Sequence, residues 1–207
     1  MGGRPPPPGG DGGFLIVVIV GTMPLAGKRG RSSLASVAEH ATPAPVTPQE
    51  VATTWVEAVM DRGDLRAAWP ITDATLRLVL AQDWIWAHRH HPWVGHDRDW
   101  DSLARALGAA QPEHPLWPRF ADEQLELWHK IWRGFDARRW QALEEPEVVA
   151  LDLEIVTFVE VDSAQRRARF ARRFALRHTG DGWRMASING DQMFVPGWPP
   201  SLEDQPR

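Results

Sequence analysis

The apolar residues of this chain change their spacing at Pro146, and that change constrains the fold more than any other feature. Between Thr47 and Gly134 they recur at helical intervals; from Val148 to Asn189 they fall in strand-like runs rich in β-branched and aromatic residues. Helices in one block and strands in the next, rather than the two alternating, mean an α+β fold. Its helices should lie on one face of a curved antiparallel sheet.

The helical half is well punctuated. Thr47-Pro48-Gln49-Glu50 joins a capping threonine, a proline suited to the first helical position and a glutamate that closes a capping box. Val51, Trp55, Ala58 and Val59 carry that helix to Gly63. Asp64 caps a short helix over Leu65–Trp69, which Pro70 breaks. Thr72 or Asp73 opens a third helix to about Ala87, with Leu76, Val79, Leu80 and Trp84 on its apolar side. Asp99 to Leu107 reads as a fourth. Gly108, Pro112, Pro115 and Pro118 mark residues 108–118 as loop, and Ala121 to Arg133 is a fifth helix carrying Leu125, Trp128 and Trp132 at helical spacing.

The strand half allows a register to be argued. Strands are expected over Val148–Val161, Ala168–Thr179 and Trp183–Asn189, with a shorter one around Arg139–Leu143. In the first, Leu151, Leu153, Ile155 and Val159 share a face, opposite Asp152, Glu154 and Glu160; in the second, Phe170, Phe174 and Leu176 lie opposite Arg167, Arg169, Arg173 and Arg177. Matching apolar to apolar requires a four-residue connection, Ser163–Arg166, which sets Glu160 opposite Arg169. The arginine stripe then reads as a solvated face neutralised by facing acids, each pair worth roughly 0.2–1 kcal/mol, rather than as a nucleic-acid surface. Thr179-Gly180-Asp181-Gly182 is a tight hairpin that sets Leu176 opposite Met185 and Arg172 opposite Asn189.

Composition removes several function classes. A formal charge of −4 over 207 residues gives no field that would draw nucleic acid or an anionic membrane. The absence of cysteine excludes disulfides, thiolate metal sites and a cysteine nucleophile, and the absence of tyrosine excludes a phenol as acid or oxyanion donor. Twelve tryptophans, in a chain rich in Arg, Ala and Pro, read first as core filling and second as an aromatic ligand cage.

Residues 1–46 read as a disordered tail and linker, 47–200 as the folded domain and 201–207 as a disordered C-terminus. After Met1, residues 2–13 are only Gly, Pro, Arg and Asp, and cannot bury enough surface to fold. The apolar run Phe14–Val20, fading to Ala26, falls short of the roughly 20 residues that span a bilayer, so no stable membrane insertion is expected. A translation start at Met23 and a cytoplasmic protein is one reading of it. Export, with residues 14–26 as a signal core, is the alternative, disfavoured by Lys28, Arg29 and Arg31 after the run.

The capped helix with Trp55, the short helix ending Ala67-Ala68-Trp69, the helix from Asp73 and the closing hairpin Phe174-Ala175-Leu176-Arg177 … Gly180-Asp181-Gly182-Trp183-Arg184-Met185 together resemble the nuclear-transport-factor-2-like superfamily, which includes SnoaL-like polyketide cyclases and ketosteroid isomerases. The resemblance covers about residues 47–195. It implies a cystatin-like cone, a bent sheet wrapped round a long helix with an internal pocket, in a superfamily of enzymes, ligand binders and dimerisation modules. The isomerase pattern uses a pocket tyrosine, which this chain lacks.

Given the expected register, Thr157, Arg172 and Asn189 form a polar row across three strands, with Ser187 and His178 on the same face. Such a row either meets a small ligand, Arg172 pairing with its anionic or carbonyl group and Asn189 and Thr157 orienting it, or Arg172 pairs internally with an acid such as Asp83 or Asp73, or lies at the open rim. Asp83 and His88, five residues apart, are the candidates for an acid–base pair. The stretch His88 to Asp99 holds four histidines, but their spacing matches no metal motif and reads as a turn through Pro92 and Gly95. No metal and no cofactor is expected. The function expected is binding of a small molecule, with catalysis left open; the alternative is a non-catalytic interaction module or homodimer.

Overall fold

A computed structural model describes residues 47–95, 99–132, 139–161, 168–190 and 192–202. The expectations for residues 1–46, for His96 and Asp97 and for Arg167 lie outside those residues.

The capping box forms as the sequence dictates: Thr47 Oγ1 accepts from the Glu50 N–H at 3.2 Å while Glu50 accepts from the Thr47 N–H at 2.8 Å. From it runs helix α1 (Pro48–Val56), which widens into one π-helical turn over Glu57–Asp61 and ends at Gly63, where φ is +61°. Asp64 caps α2 (Leu65–Ala68), and Pro70 tightens the chain into a single 3₁₀ turn, Trp69–Ile71. Asp73 caps α3 (Ala74–Ala87) and Asp99 caps α4 (Trp100–Gly108). The last helix, α5 (Trp117–Ile131), begins four residues earlier than expected. Pro118 sits in its first turn, where a missing N–H leaves no hydrogen bond unmade, so this proline opens the helix instead of marking loop.

Strands β1 (Trp140–Ala142), β2 (Glu147–Ala150), β3 (Leu153–Val161), β4 (Ala168–Thr179) and β5 (Gly182–Ser187) form one antiparallel sheet in sequence order. β1 and β2 both pair with β3, along successive stretches of it, and the sheet is not closed into a barrel. A small ribbon of β6 (Phe194–Val195) and β7 (Ser201–Leu202) follows, so the fold runs two residues beyond the expected boundary at 200. Among the described residues no helix is long and apolar enough to cross a membrane.

Two expectations about the sheet need correction. The run Val148–Val161 is two strands, not one. It turns at Leu151-Asp152, and Leu151, expected on the apolar face, is fully exposed at the hairpin tip. The β3–β4 register also differs by one residue over most of its length: Thr157 opposes Arg173 and Phe158 opposes Arg172. A bulge between Val159 and Val161 absorbs the shift. One residue of slip turns every side chain over, so Val156, Phe158 and Glu160 of β3 share the face of Phe174 and Leu176. Glu160 is buried there and pairs with Arg139 at 2.6 Å; its expected partner, the Arg169 side chain, lies outside the described residues. Arg173 and Arg177 do share a face and are neutralised by acids, namely Glu147 for the first and Asp152 with Asp73 for the second. The β4–β5 hairpin sets Leu176 opposite Met185 as expected.

The helices cover the face bearing Phe174. Seven of the twelve tryptophans are buried, among them Trp55, Trp69, Trp117, Trp128 and Trp132, so core filling is their main use. At the centre, the Trp55 ring packs against Trp128 of α5 at 5.3 Å, Trp132 at 6.3 Å and Phe174 of β4 at 6.4 Å. Its Nε1 donates to Thr72 Oγ1 at 2.9 Å, and that hydroxyl donates to the Ala68 carbonyl at 2.9 Å. Arg77 binds α3 to its neighbours: its Nε donates to the Gly108 carbonyl at 2.8 Å and its Nη1 to the Trp69 and Thr72 carbonyls. Gly108 allows that approach, since a Cβ there would lie 3.4 Å from the Leu78 backbone.

Trp55→Ala should cost about 3–5 kcal/mol of stability. Thr72→Val, nearly the same shape, should cost about 1–3 kcal/mol by leaving the buried indole N–H without an acceptor. Urea unfolding of both variants measures this; a Thr72→Val protein as stable as the parent would show that the indole hydrogen bond contributes nothing.

Candidate functional site

The corrected register separates the residues expected to form a polar row. Thr157 opposes Arg173 and lies on the other face of the sheet from Arg172. Arg172 and Asn189 do come together, with Gly190 and Gln192, but along a cleft of about 430 Å³ that opens widely to solvent. Ser187 is buried and engaged: its hydroxyl donates to the Gln192 carbonyl at 2.6 Å and accepts from the Asn189 N–H at 3.1 Å, which fastens the turn after β5. Asp73, a proposed partner of Arg172, instead caps α3 and faces Arg177 at 3.9 Å. Trp183 and Trp198 are both half-buried; the Trp198 ring packs at a tilt against Trp100, 5.5 Å away, and its Nε1 donates to Asp101 at 2.8 Å.

Asp83 and His88 do not act as a pair. Both ring nitrogens of His88 are taken, Nδ1 by the Trp84 carbonyl at 2.8 Å and Nε2 by Glu123 at 3.1 Å. Glu123, on α5, also accepts from Trp84 Nε1 at 2.8 Å and from Arg119 at 2.9 Å. The loop after α3 is packed rather than merely solvated. Trp93 stacks on His91, the Arg119 guanidinium lies 4.0 Å above the Trp93 ring, and Val94 is buried. Among the described residues no group of three His, Asp or Glu is placed to hold a metal ion.

Asp83 belongs to another site. Leu76, Val79, Leu80 and Asp83 form one stripe of α3, and Gln124, Leu127, Trp128 and Ile131 form a matching stripe of α5. Between them lies a groove of about 180 Å³, closed at the back by Trp132, by Ile188 and Asn189 after β5, and by Phe194 and Pro200. Leu127 and Ile131 stay 43% and 56% exposed on its rim, an unusual position for large aliphatic side chains with a core beside them. Gln124 is buried, yet its Oε1 has no hydrogen-bond partner among the described residues. Asp83 has none either, and its side chain reaches solvent at the open end.

The two acids on these facing helices are treated in opposite ways. Burial pushes Glu123 up, but the hydrogen bonds from Trp84 and Arg119 and the charges of His88 and Arg119 outweigh it and hold its pKa below the ordinary value. Burial against the apolar groove raises the pKa of Asp83, with no partner to offset it. The helical stripes themselves were legible in the sequence, but α5 carries more apolar surface than one buried face needs. Leu127 and Ile131 beside Leu125 and Trp128 were the signal that a second face was in use. No family model, no curated protein and no solved structure matches the chain, so the site stands on its own geometry.

The pH dependence of stability should separate the two acids. Glu123 has a folded pKa below its unfolded one, so its stabilisation is present above the ordinary glutamate value and is lost as pH falls through the folded pKa. Glu123→Gln should therefore cost about 1 kcal/mol at neutral pH and progressively less in acid. For Asp83 the sign reverses. Its contribution is complete below the ordinary aspartate value and lost as pH rises through the raised pKa. Asp83→Asn should stabilise the protein at neutral pH, by less than about 1 kcal/mol given its contact with solvent. Melting temperatures across the acid range measure both, and the same sign for the two variants at neutral pH would contradict the assignment.

Proposed function

We propose that this domain binds a small, largely apolar molecule in the groove between α3 and α5, and that it is a nuclear-transport-factor-2-like domain. The observation that carries the binding reading is the apolar groove itself, which leaves Leu127 and Ile131 exposed on its rim. Apolar walls with a few convergent polar groups are the usual make-up of a ligand site. The family reading is supported by the helices-then-meander order, by α1 lying against the sheet and by the hairpin Gly180-Asp181-Gly182-Trp183. In that reading the sheet curls round α1 as a cone. No catalytic residue is assigned: His88 is engaged by Glu123 and the Trp84 carbonyl while Asp83 lines the groove, and binding needs no reaction.

A thermal-shift screen against a metabolite set tests the site when run on three proteins: the parent, Leu80→Trp, which fills the groove, and Arg172→Ala. Hits should stabilise the parent and Arg172→Ala alike, by about 2.7 kcal/mol at a hundredfold excess over Kd, and should fail with Leu80→Trp. Hits that survive groove filling but vanish with Arg172→Ala would move the site to the open cleft; an empty screen would remove it.

One observation favours a second reading, a dimerisation module. Strand β2 pairs only with β3 among the described residues and exposes Val148 at 70%, Val149 at 49% and Leu151 at its tip. An open edge of this kind can pair with another strand. Sedimentation should then show a dimer that Val149→Lys dissociates, and a parent protein that stays monomeric at its highest soluble concentration would dispose of this reading.

A further inference from the structure

We infer that the ligand of the α3–α5 groove is a small hydrophobic ammonium compound, held with its cationic group against Asp83 and its apolar part against the groove aromatics. This rests on the groove being the binding site, and it names the chemistry that the groove selects.

Among the described residues that line the groove, Asp83, Gln124 and Asn189 are the only polar side chains, and none is Lys, Arg or His. The formal charge they bring to it is negative. An anionic ligand would meet a like charge with no cation among those residues to compensate. A cation supplies what is missing. Asp83 has no ion pair or hydrogen bond among the described residues, although arginines pair freely with acids elsewhere, as Arg119 does with Glu123 and Arg139 with Glu160. The carboxylate at the open end calls for an N–H or N⁺ group, not for carboxylate or phosphate.

The rest of the lining fits the same class. Trp128, Trp132 and Phe194 present aromatic surface in the groove. An ammonium group near a Trp ring is attracted by the ring quadrupole beyond its packing. Size narrows the choice further. The groove of about 180 Å³ holds about six waters at ~30 Å³ each. It lies below the roughly 300–1,000 Å³ of sites for drug-sized molecules, so the ligand is about the size of an arylalkylamine. Burial already raises the Asp83 pKa. A bound cation would oppose that shift, so affinity should fall as pH drops through the carboxyl's titration.

Titration calorimetry with phenethylamine and with phenethyl alcohol, its neutral analogue of the same shape, tests the inference. The proteins are the parent, Asp83→Asn and Asp181→Asn, the last making the same charge change on the β4–β5 hairpin. The parent and Asp181→Asn should prefer the amine by roughly tenfold, and Asp83→Asn should lose that preference while still binding the alcohol. If the alcohol binds the parent as tightly as the amine, or if the amine preference survives in Asp83→Asn, the ligand class is wrong and the groove remains a site for neutral molecules. If neither compound binds the parent while other apolar molecules stabilise it through the groove, the class is again overturned. If nothing binds there at all, the binding reading itself falls.

Discussion

The indole of Trp55 is the contact on which the rest of the structure depends. Its ring lies between α5 and β4, and its N–H reaches Thr72 at the turn that leads into α3. One side chain therefore sets the distance from the helices to the sheet and the point from which α3 departs. Arg77 then ties α3 to the end of α4 and to the carbonyls of the preceding turn. With α3 held from one side and α5 from the other, a gap between their outer stripes follows from the geometry. That gap is the groove. Its floor, Trp128, is itself in contact with Trp55, so the site rests directly on the core.

The asymmetry between Asp83 and Glu123 is the chemical counterpart of this arrangement. Both acids sit on the helices that flank the groove. Glu123 receives donors from Trp84, Arg119 and His88, which stabilise its charge and join α3 to α5. Asp83 receives none among the described residues and is desolvated by apolar neighbours. Asp83 is exposed at the open end of the groove, and groups whose pKa is shifted by desolvation gather at functional sites more often than elsewhere. That is why the groove, and not the more open cleft beside Arg172, carries the functional reading.

Much of the local structure was legible because its causes are local. The capping box at Thr47, the caps at Asp64, Asp73 and Asp99 and the hairpin over Gly180-Asp181 each depend on residues two or three apart. The mistakes share one origin. The turn at Leu151-Asp152 has no Gly or Pro to mark it, only Asp152, and it lies where β2 and β3 pair around it. The bulge between Val159 and Val161 reverses the facing of β3, and with it the row of Thr157, Arg172 and Asn189. Alternation alone could not reveal this, since β3 has apolar side chains on both faces and Ile155 and Val156 are both buried.

By itself the sequence determined an α+β chain, the order of its elements, most of their ends and the use of tryptophan as core. These follow from spacing, capping and side-chain volume, which act within a few residues. Only the tertiary structure decided which face of β3 points inward, which acid His88 meets and where an unpaired carboxylate and an unpaired amide come to share one groove. Those depend on strand register and on the approach of α3 to α5. Both are set by contacts between residues far apart in the chain, where a shift of a single position exchanges one set of neighbours for another.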